Sequence, residues 1–181
     1  RFLKRLWALA ANMHDAGVEP TPLQDALPGL DQAQQDARRE VHTALKQASF
    51  DYGRQQFNTV VSACMKIINT LYKLGGGSND QALLREGIGI TLRLLGPIAP
   101  HTTHYLWKKL GYGDNILESA WPQADESALK QDSIQYVVQV NGKVRAKIQV
   151  VAAADKDAVQ EVALADENVQ KFIGDSPVRK V

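Results

Sequence analysis

The sequence predicts a mainly α fold: an antiparallel or orthogonal helical bundle over residues 1–126, then a small α+β domain of ββαα order over residues 133–181. Two observations carry this. Through the first part, apolar residues recur at helical spacing between polar caps and Gly or Pro breaks. From Ser133 the period drops to two.

The first helix spans Arg1 to about Asp15. Phe2, Leu3, Leu6, Leu9, Ala10 and Met13 form its apolar stripe, and Arg1, Lys4 and Arg5 face elsewhere. Gly17 closes it, and Pro20, Pro22 and Pro28 are expected to keep the next stretch out of helix. A second helix starts after Asp31, which forms a capping box with Gln34, and carries Ala37, Val41, Leu45 and Ala48 to a break near Gly53. The third has the strongest periodicity, from Phe57 through Val60, Val61, Cys64, Ile67, Ile68 and Leu71 to Leu74. Gly75-Gly76-Gly77 ends it, with Lys73 expected in the last turn, where the helix dipole favours a cation. The fourth is expected to begin at Ser78, capped with Gln81, and to bury Leu83, Leu84, Ile88, Leu92 and Leu95. Its two glycines, Gly87 and Gly89, each cost about 1 kcal/mol of helix propensity, so a neighbouring helix should pack close there. Pro100 opens the fifth helix, which runs through Leu106, Trp107 and Leu110 to Gly111. The expected bundle core includes Phe57, Val61, Cys64, Ile68, Leu71, Leu92, Leu95 and Trp107.

Alternation around Asn141-Gly142 makes a β-hairpin. A two-residue loop would pair Val140 with Lys143 and mix the faces. A three-residue loop over Val140–Gly142 pairs Val138 with Val144 and Tyr136 with Ala146. It gathers Tyr136, Val138, Val144, Ala146 and Ile148 on one face and Lys143, Arg145 and Lys147 on the other. Asp155 and Asp166 are placed to cap two short helices, the second ended by Gly174. Pro177 to Val181 reads as the beginning of a strand, so the small domain is expected to lack its final strands.

Composition narrows the chemistry. Formal charge is +1, so any nucleic-acid contact has to come from a local basic face. The single cysteine excludes an internal disulfide and fits a reducing, cytosolic setting. No apolar run approaches the ~20 residues of a membrane span. The start, Arg1 to Arg5, lacks Met and reads as an internal cut in a longer protein. No active site is found. Gly75-Gly76-Gly77-Ser78 lacks the Lys of a phosphate loop, and His101 and His104 lack the Glu and third ligand of a helical zinc motif. Cys64 lies on an apolar stripe, as a buried thiol would, and Trp7, Trp107 and Trp121 read as core anchors. Lys143, Arg145 and Lys147 on alternate residues, with no acid among them, suit a phosphate backbone and equally suit a solvated edge strand. Arg1, Lys4 and Arg5 suit a solvated helix face in the same way.

Three stretches resemble class I aminoacyl-tRNA synthetases. Arg1-Phe2-Leu3-Lys4-Arg5-Leu6-Trp7 resembles the first helix of their anticodon-binding bundle. Phe57-Asn58-Thr59 to Met65-Lys66 is similar to the next signature helix, and Leu94 through Pro100-His101 to Leu106-Trp107, followed by Trp121-Pro122, to a third pattern. These are shared by the leucyl, valyl and isoleucyl enzymes. The stretches Val137 to Arg145 and Ala163 to Lys171 resemble the C-terminal domain of bacterial leucyl-tRNA synthetases.

The resemblance implies a tRNA-binding region of a ligase that joins leucine to tRNA(Leu) in the cytoplasm. ATP and Mg would be used elsewhere in the full-length enzyme, and this region would hold no cofactor, metal or catalytic residue. Its partners would be tRNA(Leu) and the catalytic and editing domains of the same chain, with no membrane and no DNA. The residues implied in tRNA contact are Asn141, Lys143, Arg145 and Lys147 of the hairpin and Arg1, Lys4 and Arg5 of the first helix. Two rival readings stand beside it: the same region of a valyl or isoleucyl enzyme, and a helical module that binds protein.

Overall fold

The computed structural model describes residues 1–17, 21–130, 133–140, 142–151 and 154–173. The chain divides into two compact units, residues 1–129 and 130–181. The helix-ending Gly174 and the strand expected from Pro177 lie outside the described residues, as do Pro20 and Asn141.

The first unit is helical. Helix α1 (Phe2–Asp15) buries Leu6, Leu9 and Ala10. The proline-rich stretch after it does contain helix, against expectation: one turn of α2 (Leu23–Ala26) and a 3-10 turn (Leu27–Gly29). Pro22 is the N-cap of α2 and Pro28 lies near the start of the 3-10 turn. At a helix start the missing N–H leaves no intrahelical bond unmade. Helix α3 (Gln32–Gly53) opens on the expected capping box. The Gln34 N–H donates to Asp31 Oδ1 at 2.8 Å, and the Asp31 N–H donates back to Gln34 Oε1 at 3.0 Å.

Helix α4 (Phe57–Leu71) buries Val60, Cys64, Ile67, Ile68 and Leu71. Two expected core residues differ. Phe57 is 48% exposed, because it sits in the first turn of the helix, where Tyr52 meets its ring edge-on at 5.6 Å. Val61 is half-buried beside the fully enclosed Val60. Lys73 falls beyond the last turn, since the helix ends at Leu71. Cys64 is 0% exposed, and burial pushes its thiol up to about 12, which makes it an unreactive core residue.

Helix α5 (Ser78–Leu95) runs through the middle of the unit. Leu83, Leu84, Ile88, Ile90, Leu92, Leu94 and Leu95 are all buried, which is more than one face. The space for this comes from Gly87, where an added Cβ would lie 2.7 Å from the Leu71 side chain of α4. The cap differs from expectation. Gly77 is the N-cap, and Asp80 Oδ2 accepts the Gly76 N–H at 2.9 Å and the Gly77 N–H at 3.2 Å. Ser78 instead bonds the Thr21 hydroxyl, and Gln81 is buried. A carboxylate beats a hydroxyl here because it meets two orphan donors with charge-assisted bonds. The Gln34 amide then donates to Asp80 Oδ1 at 2.8 Å, so one side chain joins the starts of α3 and α5. Helix α6 (Pro100–Lys109) begins at its proline and buries Leu106 and Trp107, with Leu110 enclosed at its end. A 3-10 turn (Ile116–Glu118) and α7 (Glu126–Leu129) complete the unit.

A buried polar cluster ties α3 and α5 to the segment before α7. Arg38 Nε lies 3.0 Å from Glu86 Oε2 and its Nη2 3.0 Å from Glu86 Oε1, a two-pronged pair, and Nη2 also donates to Asp125 Oδ2 at 2.7 Å. The Asp125 N–H donates to His42 Nδ1 at 3.0 Å, so the ring hydrogen belongs on Nε2, which lies 2.8 Å from Glu86 Oε1. Burial alone would push the Glu86 carboxyl up, but the bonds from His42 and Arg38 outweigh it and hold the group below its ordinary 4.5.

In the second unit β1 (Ser133–Val140) and β2 (Lys143–Val151) form the antiparallel hairpin, covered by α8 (Lys156–Ala165) and α9 (Glu167–Ile173). Asp155 caps α8 through the Ala158 N–H at 2.9 Å. Asp166 caps α9 through the Asn168 N–H at 2.9 Å. The register corrects the expected one. Val140 pairs with Lys143 across a two-residue connection that includes Gly142 at φ +76. Gln139 then pairs with Val144 but Val138 with Ala146, leaving Arg145 as a β-bulge. The extra residue restores the phase that the short loop would have spoiled. Ala146, Ile148 and Val150 therefore face Ala163 and Val169 in a small core, while Val144, expected inside, is 55% exposed.

Two outcomes follow for stability. Ile68→Ala should cost about 2–5 kcal/mol in urea denaturation, because the side chain is fully enclosed and its cavity cannot collapse freely. Glu86→Gln should lower stability by about 3–5 kcal/mol at neutral pH, since it uncouples a buried charge from Arg38 and His42. The folded-state pKa of Glu86 is depressed, so its contribution is complete above 4.5 and is lost as pH falls through the folded value. Denaturation midpoints of parent and variant should accordingly converge on acidification; a constant gap would mean that Glu86 charge is not what the cluster depends on.

Candidate nucleic-acid interface

The expected contact residues fall in both units. In the first, Arg1 and Lys4 are exposed along α1. Lys4 borders a shallow hollow of about 330 Å³ with Leu3, Trp7, Ala8 and Thr102. Arg5 is exposed but already engaged: Nη1 donates to Asn69 Oδ1 at 2.7 Å, and the guanidinium lies over the Tyr72 ring at 4.8 Å. Tyr72 in turn donates its hydroxyl to the Arg5 carbonyl at 2.8 Å. Arg5 thus fastens α1 to α4 whatever else it touches.

A neighbouring surface of α6 is one that sequence reasoning does not reach. Trp7, expected as a core anchor, is 41% exposed and stacks on Tyr105 at 5.0 Å and 11°. Tyr105 then lines a groove of about 450 Å³ with His101, His104, Lys108 and Lys109, floored by Ile116. Two exposed rings beside two lysines and two imidazoles, with no acid in the lining, make an RNA-compatible surface. Its signal in the sequence is Lys108-Lys109 one helical turn beyond His104, a pattern that metal-ligand spacing alone does not register. Among the described residues no group of three or more His, Cys, Asp or Glu is gathered to hold a metal ion. Trp107 is the buried anchor expected, whereas Trp121 is 37% exposed against Tyr52.

In the second unit the bulge separates cations expected to share a face. Lys147 is exposed opposite Val137, on the side that also carries the exposed Val144. Lys143 is exposed beside the turn, opposite Val140. Arg145 turns towards the helices, where its guanidinium lies 3.6 Å from the centre of the Phe172 ring of α9. Asn141 lies outside the described residues. A single row of three phosphate contacts is therefore not what the hairpin offers: alternation alone would put Arg145 beside Lys147, and the bulge takes it out of that row.

A family model described as the anticodon-binding domain of tRNA ligase matches residues 34–160. The chain belongs to this family. The match begins near the Arg38 end of α3 and continues through the hairpin into α8. Among curated relatives, the leucine–tRNA ligase of Coxiella burnetii is 43% identical over 184 residues, covering 100% of this chain and 22% of that protein. The leucine–tRNA ligase of Leptothrix cholodnii is 45% identical over 186 residues, covering 100% and 21%. The chain thus spans about a fifth of the length of the relatives it matches. A crystal structure of the ternary complex of Agrobacterium radiobacter LeuRS with tRNA and LeuAMS matches 99% of this chain and 23% of that one, with a TM-score of 0.75 and 23% identity. That agreement establishes a shared fold. No helix among the described residues is long and apolar enough to cross a membrane.

Proposed function

We propose that this anticodon-binding-family chain is the tRNA-binding portion of a leucine–tRNA ligase, which positions tRNA(Leu) in the cytoplasm for leucylation by catalytic and editing domains outside these 181 residues. The observation that carries it is identity of 43–45% with leucine–tRNA ligases along the entire chain, hairpin included. ATP and Mg serve the catalytic part and no cofactor binds here. The physical means is local charge. A net charge of +1 gives no long-range field, so affinity comes from placed cations such as Lys4, Lys143, Arg145 and Lys147. Phosphate contacts far from the reacting end fix the RNA in register and orientation, and such remote binding energy is what brings a distant acceptor end to an active site. A rigid bundle held by the Arg38–Glu86 pair suits that task.

The test is a titration of the full-length protein against tRNAs for leucine, valine and isoleucine. Preference for tRNA(Leu) is expected; equal or reversed preference overturns the reading. Replacing Lys143, Arg145 and Lys147 together by Ala should weaken tRNA binding and make its salt dependence shallower, by roughly 0.7–0.9 in log–log slope for each phosphate left unneutralised. Leucine-dependent pyrophosphate exchange, which needs no tRNA, should be unaffected in that variant, and the 181-residue chain alone should show none.

A further inference from the structure

Arg145 is held unlike any other cation of the hairpin. As the bulge residue it leaves the strand alternation and its guanidinium packs on the Phe172 ring, 3.6 Å from the centroid. Phe172 is 51% exposed, so this stack lies at the solvent margin where the sheet meets α9. The Nε of Arg145 is enclosed and has no hydrogen-bond partner among the described residues, and no described carboxylate pairs with the group. An enclosed, unbonded N–H is costly, and a side chain extended into water would escape that cost. The stack on Phe172 therefore fixes the plane of the guanidinium against a penalty and leaves the two terminal nitrogens as its working edge.

Resting on the tRNA-binding reading above, we propose that Arg145 is a fixed, two-pronged phosphate contact for one backbone position of the RNA, with Phe172 as its positioning residue. The planar fork matches two oxygens of a phosphate, and stacking removes in advance the rotamer freedom that a binding event would otherwise have to freeze. Lys143 and Lys147 are exposed point charges that attract the backbone without selecting an orientation. The hairpin then divides its work: two adaptable cations, and one that sets where the RNA lies.

The experiment measures affinity of the full-length protein for a tRNA(Leu) transcript across a salt series, with melting curves for every variant. Arg145→Ala should weaken binding about tenfold or more, the scale of one charge-assisted pair. Arg145→Lys should weaken it nearly as much while keeping the salt slope of the parent, because the charge remains and the fork does not. Phe172→Leu, which keeps an apolar neighbour and removes the flat ring, should weaken binding by about threefold. Lys147→Ala should make the slope shallower with a smaller loss of affinity. Wild-type affinity for Arg145→Lys overturns the proposal and leaves the tRNA-binding reading standing, since a point charge would then suffice. Affinity losses that track losses of melting temperature overturn it too, by making the stack merely structural. Unchanged affinity in Arg145→Ala, Lys143→Ala and Lys147→Ala alike would instead remove the reading on which it rests.

Discussion

Glu86 is the group that the helical unit is arranged around. It is a carboxylate on the central helix, and a carboxylate in that position has to be matched or it would pull the bundle open. Arg38 matches it with two bonds, His42 adds a third, and the remaining nitrogen of His42 takes the backbone of Asp125. His42 and Glu86 stand 44 positions apart in the chain, and Arg38 and Asp125 stand 87 apart, so satisfying these groups defines which segments meet. Such a cluster adds less to net stability than its bond count suggests, because both charges left water to form it. What it excludes is any neighbouring packing that would strand a charge.

The same helix carries the opposite device one residue later. Gly87 has no side chain where Leu71 presses in, so α4 and α5 approach closely beside the polar cluster. Charge matching and close apposition thus act at adjacent positions. The first selects the partner helix by chemistry, and the second admits the other by shape. The expectation that glycines inside a helix mark close approaches is met at Gly87 by a helix and at Gly89 by the Tyr112 ring.

What is legible in the sequence follows from local rules. The α4 stripe, the Asp31–Gln34 box and the Asp155 and Asp166 caps involve residues a few positions apart, and each has one good solution. The polar cluster involves distant residues and escapes such rules, although Arg38 and His42 stand at helical spacing with Val41 and Leu45 on the inward stripe. A pattern search that counts only apolar residues skips them. Sequence favours Ser78 over Asp80 as the α5 cap because it shows which residues can cap, not which carboxylate reaches two N–H groups. For the interface, the cationic residue types are legible and their grouping is not. Face-mixing argues against a two-residue loop only if both strands are regular, and here the strand absorbs the mismatch by a bulge at Arg145. Trp7 and Tyr105 stack across α1 and α6, and no spacing rule connects residues so far apart.

The bulge has one more implication, for how this hairpin can change over time. Because Val144 already stands opposite Gln139 and Ala146 opposite Val138, Arg145 is the one residue of that stretch that the pairing does not use. Losing it would leave a regular ladder with Ile148 and Val150 still against α8 and α9. Losing a second residue there would turn Ile148 and Val150 outward and bring Lys147 against the two helices. Loss of a single residue near the turn should therefore be tolerated, while lineages that have lost two would need a compensating kink elsewhere in either strand.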